Sequence, residues 1–256
     1  MAAVAALLES RAALAALRRT LPRGGLRVVT CRTPAGLHRA LNAHLIEAIV
    51  LAPRPTQLAE LPVLRQRFPE IPVVAYAHFR PDDGELLLLC QRHRVAAFAV
   101  EGVDDAVVGD LVSRHSAAAE RRRALADAPR ALRLTDSLQR AVWELLLDRV
   151  DESVRTETIA RRMRMSREHL SRQFAAGGAP NLKRVIDLTR IATAAQLLRN
   201  PGYTIGAVVA LLGFASPSHL NGTSRRIAGV PTRSLPGLGP RGVLAAFARG
   251  KTRSRI

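Results

Sequence analysis

Hydrophobic periodicity switches once along this chain, and that switch limits the fold more than any other feature. Up to about residue 125, short apolar runs alternate with helix-length segments. Four of the runs, Leu26–Cys31, Glu47–Ala52, Ile71–Ala77 and Val95–Val100, are mostly β-branched or aromatic at their centres. Between successive runs there is enough chain for a crossover helix, the connection that parallel strands require. Runs that are apolar at nearly every position suit strands buried on both faces, which predicts a doubly wound parallel sheet covered by helices. Residues Ala3–Leu8 admit two readings: a fifth strand, or part of an amphipathic helix over residues 2–20, which their Ala and Leu content favours. Beyond residue 130 only helix-period patterns remain. The expected fold class is therefore an α/β domain followed by an all-α domain.

A chain of 256 residues is long enough for two such domains, each with its own core. Charge is distributed unevenly between them. Of 39 Lys+Arg and 21 Asp+Glu, residues 1–130 hold 18 basic and 13 acidic side chains, whereas residues 131–256 hold 21 and 8. After Asp187 no carboxylate side chain occurs, and ten Arg or Lys follow. The net charge of +18 calls for a polyanionic partner, to be sought in the C-terminal half. Only Lys183 and Lys251 are lysines, a usage that fits a GC-rich bacterial genome and also suits bidentate contacts to phosphate and guanine.

No apolar stretch approaches the roughly 18 residues that cross a bilayer, so no membrane partner is expected. Met1–Leu8 lacks the basic n-region of a secretory signal, and the expected location is the bacterial cytoplasm. Cys31 and Cys90 lie far apart without metal-ligand spacing and read as two reduced, buried thiols. The sequence shows no Ser/His/Asp or Cys/His order, no HExxH and no phosphate loop, so neither catalytic residues nor a cofactor are expected. Cys90 and His93 at i, i+3 have no second pair to complete a metal site.

A helix over residues 104–125 is expected to close the first domain. Its Val107, Val108, Leu111 and Val112 suit either docking on the sheet or a dimer face. Residues 126–134 read as a linker, 135–235 as the helical domain and 236–256 as a basic, mobile tail rich in Pro, Gly and Arg. Within the helical domain, Leu138, Val142, Leu145 and Leu146 mark one packed helix. Two short helices follow, Thr156–Met163 and Ser166–Ala176, the second capped by Ser166. A longer helix runs over residues 181–199. Thr204 caps another pair, whose second helix opens at Ser216 with Pro217 at its first position and begins 50 residues beyond Ser166. Each pair across a tight turn is a helix-turn-helix.

Over its first 120 residues the chain resembles the receiver domain of two-component response regulators, through details such as IPVVAYA and AAFAVEG. A working receiver needs a phospho-acceptor Asp, a sensing hydroxyl and a Lys. The resemblance places Ala52 at the acceptor position, Ala77 at the hydroxyl position and Glu101 at the Lys position. That implies a receiver-like domain that takes no phosphoryl group and serves in packing, partner contact or homodimerisation.

The second half, through ETIARRMRMSREHLSRQF and RIATAAQLLRNPGYTIGAVVALLGFASPSHL, resembles the DNA-binding domain of the AraC/XylS transcription regulators. The resemblance implies that the helices at 166 and 216 enter successive major grooves of double-stranded DNA. With Leu170 and Phe174 inward, Ser166, Arg167, Glu168, Ser171 and Arg172 face out. Arg172 is then expected to read guanine, Glu168 to accept from cytosine, and Arg167 to clamp phosphate. In the second unit Ser218, His219, Asn221 and Arg225 are the candidate contacts. This unit departs from the family pattern: Gly222 stands where the pattern has Arg, and Ser224 where it has a large apolar residue, so weaker reading is expected there, and a packing defect unless Ile227 or the tail compensates. Arg164 replaces a turn Gly and is expected to be strained. Two functions follow, a sequence-specific regulator or a basic architectural protein with little sequence preference.

Overall fold

The computed structural model describes residues 2–22, 26–148 and 155–250. It divides into two compact units, one running to Glu120 and taking in Asn200–Tyr203, the other formed by Arg121–Arg199 and the residues from Thr204 onward.

The first unit follows the order β1 (Ala3–Leu7), α1 (Arg11–Thr20), β2 (Arg27–Thr30), α2 (Pro34–Ala43), β3 (Ile46–Leu51), α3 (Pro55–Leu58), α4 (Glu60–Arg67), β4 (Val73–Ala77), α5 (Gly84–Arg92), β5 (Ala97–Val100) and α6 (Val108–Arg114). All pairings are parallel, in the spatial order β2-β1-β3-β4-β5. That order is one of the two common doubly wound arrangements. Every residue of β1, β3 and β4 is buried, while the edge strands β2 and β5 are partly exposed. Position therefore decides the two readings of Ala3–Leu8. These residues form an interior strand, hydrogen-bonded on both sides, and tertiary context overrides the helix preference of alanine.

The expected helix over 104–125 is two helices. Asp104 accepts from the Val100 N–H at 2.7 Å, Asp105 accepts from Gly102 N–H at 2.8 Å, and the pair orders the loop before α6 instead of opening a helix. A break at His115–Ser116 then separates α6 from α7 (Ala117–Ala124). Val108 and Val112 are fully buried in the sheet-side core. Gly109 sits where α6 crosses the end of α1, donating its N–H to Thr20 Oγ1 at 2.9 Å. A Cβ there would lie 2.2 Å from the Thr20 carbonyl carbon.

The expected linker is helical too: α8 (Ala128–Ala131) has Ala128 fully buried, with Leu125, Leu132 and Leu134 buried beside it in sequence. The rest of the second unit comprises α9 (Ser137–Asp148), α10 (Thr156–Arg162), α11 (Arg167–Ala175), α12 (Leu182–Leu197), α13 (Ile205–Leu211), α14 (Pro217–Ala228) and α15 (Leu235–Gly250). Helix α15 corrects the expectation of a mobile tail from residue 236. Leu235, Val243, Leu244 and Phe247 are buried, and the Arg184 guanidinium on α12 covers the Phe247 ring at 4.9 Å. Gly239, at φ +60°, breaks the helix in two, so Pro240 starts the second segment, where its missing N–H costs nothing. Residues 251–256 of the expected tail lie outside the described residues.

Because α15 covers it, α12 is buried nearly all round, including Asp187, Thr189, Thr193 and Gln196. Three of these polar side chains are satisfied within the unit. Thr189 and Thr193 donate to the carbonyls of Ile186 and Thr189, both at 2.9 Å, and Gln196 accepts from Arg121 at 2.7 Å.

Candidate nucleic-acid interface

Helix α11 starts where Ser166 accepts the His169 N–H at 3.2 Å, the N-cap that its sequence position implies. Leu170 and Phe174 are fully buried, and Gln139 of α9 donates to the carbonyls of Phe174 and Ala176 at 2.9 and 3.1 Å. One face of α11 is thereby fixed. Its opposite face carries Arg167, Glu168 and Arg172, all exposed, with Ser171 half-buried at the margin. Among the described residues Glu168 and Arg172 have no ion-pair partner, so neither is held by an i, i+4 bridge to the other. Arg167 is engaged: its guanidinium meets Glu157 of α10 at 3.0 Å, with both side chains at least half exposed.

The turn between α10 and α11 closes with the Met165 N–H donating to the Ala160 carbonyl at 2.9 Å. Arg164 sits inside it at φ +54°, the left-handed conformation that suits glycine. The corresponding turn between α13 and α14 has Phe214 N–H on the Val209 carbonyl at 2.9 Å, with Gly213 at φ +64°. The two turns are built alike, and only the first holds a side chain in the strained position.

Helix α14 is capped by Ser216, which accepts the His219 N–H at 3.0 Å, with Pro217 in the first turn and Gly229 in the left-handed region beyond its end. Ser218 and Arg225 are exposed. His219 is exposed, but its Nδ1 accepts the Ala215 N–H at 3.3 Å and its ring stands edge-on to Phe214 at 5.5 Å. Only Nε2 is left to donate outward. Asn221 has a second task as well, since its Oδ1 accepts the Thr232 N–H at 3.0 Å. Gly222 is exposed with nothing near the position of a Cβ.

Ser224 is fully buried, as is Ile227 three residues on, and its hydroxyl donates to the Val230 carbonyl at 2.7 Å, so its polar group is satisfied where an unpaired hydroxyl would be costly.

Residues that the sequence did not single out hold this second unit in place. Arg190 of α12 lies over the Phe214 ring at 3.9 Å and donates to the Leu212 carbonyl at 2.9 Å, fastening the end of α13. Asp187, nearly buried, accepts from Arg226 of α14 at 2.8 Å and lies 3.9 Å from Arg190. The last carboxylate of the chain thus joins α12 to α14. Only the i, i+3 spacing of Asp187 and Arg190 hinted at it.

At the carboxyl edge of the sheet, Ala52, Ala77 and Glu101 follow or end β3, β4 and β5, and the Glu101 N–H donates to the Ala77 carbonyl at 3.0 Å. The Ser10 hydroxyl donates to the Glu101 carboxylate, while His78 approaches its other oxygen at 3.9 Å. Tyr76 donates to Asp105 at 2.5 Å. Burial and that bond push its hydroxyl pKa well up, and the same bond holds the Asp105 carboxyl below the usual carboxylate range. Among the described residues, no group of three or more His, Cys, Asp or Glu is arranged to hold a metal ion. No described helix is long and apolar enough to cross a membrane.

Comparison with known proteins agrees with this architecture in the second unit. A family described as helix-turn-helix domain matches residues 159–235, which begin inside α10 and end at the start of α15. No curated protein matches the chain. Among solved structures, full-length FixJ from B. japonicum is 15% identical with a TM-score of 0.38, over 88% of this chain and 96% of that one. Two helix pairs around a buried linking helix thus fall in a region that is similar to the helix-turn-helix family, which supports DNA binding by the second unit, while the first unit is a five-stranded parallel α/β sheet.

Proposed function

We propose that the protein is a sequence-specific regulator that reads the major groove mainly with α11, and that it has no catalytic role. The observation that carries this is the outward face of α11. Among the described residues Arg172 and Glu168 have no ion-pair partner, and they project from a helix that Leu170, Phe174 and Gln139 anchor. Arg172 pairs bidentately with guanine, Glu168 accepts from cytosine, and Ser166 with Ser171 completes the face. Arg167 contacts phosphate and sets register without selecting sequence. Helix α12, at 16 residues, spans about 24 Å, a length consistent with two reading helices on one side of a duplex. Ser218, His219, Asn221 and Arg225 form the second, weaker reader.

The receiver-like unit, in this reading, contacts a partner or a second copy and is not switched by phosphorylation. A methyl group stands at the acceptor and hydroxyl positions, and Glu101 places a carboxylate where a phosphate would need a cation. Incubation with a small phosphodonor and Mg²⁺ should leave the intact mass unchanged, and an added phosphate contradicts this. A DNA-binding regulator without a membrane-crossing helix would act in the cytoplasm.

One set of observations favours a second reading, a basic architectural protein. Gly222 offers no side chain, and His219 and Asn221 each spend an acceptor inside the fold. Titration against labelled duplexes with excess nonspecific competitor separates the two. Retention of a preferred site supports regulation, and equal competition by any sequence supports the architectural role.

A further inference from the structure

We propose that the groove at the carboxyl ends of β1 and β2 binds a small phosphate-bearing molecule. Its volume is about 1370 Å³, and Arg11, Arg18, Arg32 and Arg39 line it, opposed by Glu9 alone. Residues 1–130 carry a net charge of only +5. These five side chains supply +3 of it, so the cluster is not simply a sample of an Arg-rich chain. Clefts lined by one sign of charge concentrate counter-ions, and it is this charge that carries the inference, since the groove lies at β1 and β2 and not at the β1/β3 switch point of this strand order.

The groove is built as well as charged. Arg18 on α1 donates to Thr30 at the end of β2 at 2.7 Å, which fixes one guanidinium at the rim. Leu8 and Cys31, 6% and 3% exposed, lie at its base, while Leu14 and Val29 give apolar walls. Apolar walls with convergent guanidinium groups suit a ligand that joins an apolar body to an anionic group. Across β1, Ser10 is taken by the Glu101 carboxylate, which repels an anion and leaves the Arg-lined side as the favourable one. A duplex presents its phosphates on a convex rod, and a recess floored by buried strand ends favours the small ligand instead.

The proposal is independent of how α11 reads DNA, and the test keeps the two apart. Inorganic pyrophosphate is titrated by calorimetry into the full chain without DNA, alongside Arg32→Ala/Arg39→Ala and, as a control outside the groove, Arg80→Ala. Far-UV circular dichroism and melting check that each variant is folded. Saturable binding at one site is expected, at least about tenfold weaker in the double variant because two charge-assisted contacts are lost, and unchanged within about twofold in the control. Absence of saturation, more than one equivalent bound, or equal binding by all three proteins overturns the site. So does a double variant that weakens duplex binding as Arg167→Ala does without affecting pyrophosphate, because the groove then serves the DNA backbone. Loss of sequence preference in the competitor titration would bear on α11 and leave the pyrophosphate result standing.

Discussion

Glu157 should act as a brake on DNA binding, and removing its charge should tighten the complex. Arg167 already holds Glu157 at 3.0 Å, with the two side chains 62% and 50% exposed. A pair so exposed contributes only about 0.2–1 kcal/mol, yet Arg167 must give it up to clamp a phosphate. The released carboxylate then remains within a Debye length, about 10 Å at 0.1 M salt, of the incoming backbone and repels it. Together these effects should make Glu157→Gln bind about two- to fivefold tighter at low salt, on every duplex alike, because phosphate contacts carry no base information. Fluorescence anisotropy with a labelled duplex between 50 and 200 mM salt measures this. Arg167→Ala should weaken all duplexes and reduce the salt slope by about 1. In the Arg167→Ala background the benefit of Glu157→Gln should fall to its small long-range part, the signature of a coupled pair. A folded Glu157→Gln protein with unchanged affinity, or a benefit that persists in full without Arg167, would falsify the phosphate-clamp role.

Two glycines predict opposite signs for the same substitution. Gly109→Ala drives a Cβ into the Thr20 backbone and should cost about 1–3 kcal/mol or more, whereas Gly222→Ala has open space in a helix and should stabilise by about 0.5–1 kcal/mol; denaturant midpoints that shift the same way would contradict both. At Ser224, replacement by Ala strands the Val230 carbonyl and should cost about 1–3 kcal/mol, so an unchanged midpoint in the Ala variant would reject the role given to that hydrogen bond. Asp105, held below the usual carboxylate range by Tyr76 and Gly102, contributes stability that is present above the unfolded value near 4 and is lost as pH falls through the lower folded value. The melting gap between wild type and Asp105→Asn should therefore hold steady near neutrality and close in strong acid, and a gap that ignores pH would reject that assignment.

How much of this was readable in advance depended on whether the deciding force was local. The β-branched runs declared four strands because strand patterning is written in adjacent residues. Ala3–Leu7 did not declare itself, because its strand state comes from hydrogen bonding to β2 and β3 on either side. Caps at Ser166, Thr204 and Ser216 were legible for the same local reason, and each accepts the N–H three residues on. Helix α15 was missed because Gly239 and Pro240 interrupt its periodicity, although the spacing of Val243, Leu244 and Phe247 was available as a signal. Its absence from the reading also made α12 look one-sided, when burial on all sides explains its polar Thr189 and Thr193. The hydrogen bond of Ser224 was not legible, because its partner is a backbone carbonyl six residues away, which composition does not record. At the candidate interface the exposed face of α11 was legible from Leu170 and Phe174. The Glu157 contact, the Arg190 stack on Phe214 and the Asp187–Arg226 link were not, since each joins separate helices.

Selection of bound duplexes from a random library, run in parallel on the wild-type chain and on Arg172→Ala, tests the central claim most directly. The wild type should enrich one motif, and the variant should lose preference at a single guanine-containing position at a cost of about 1–3 kcal/mol on the selected site. A library that emerges unenriched from the wild type, or an identical motif from both proteins, would contradict base reading by α11.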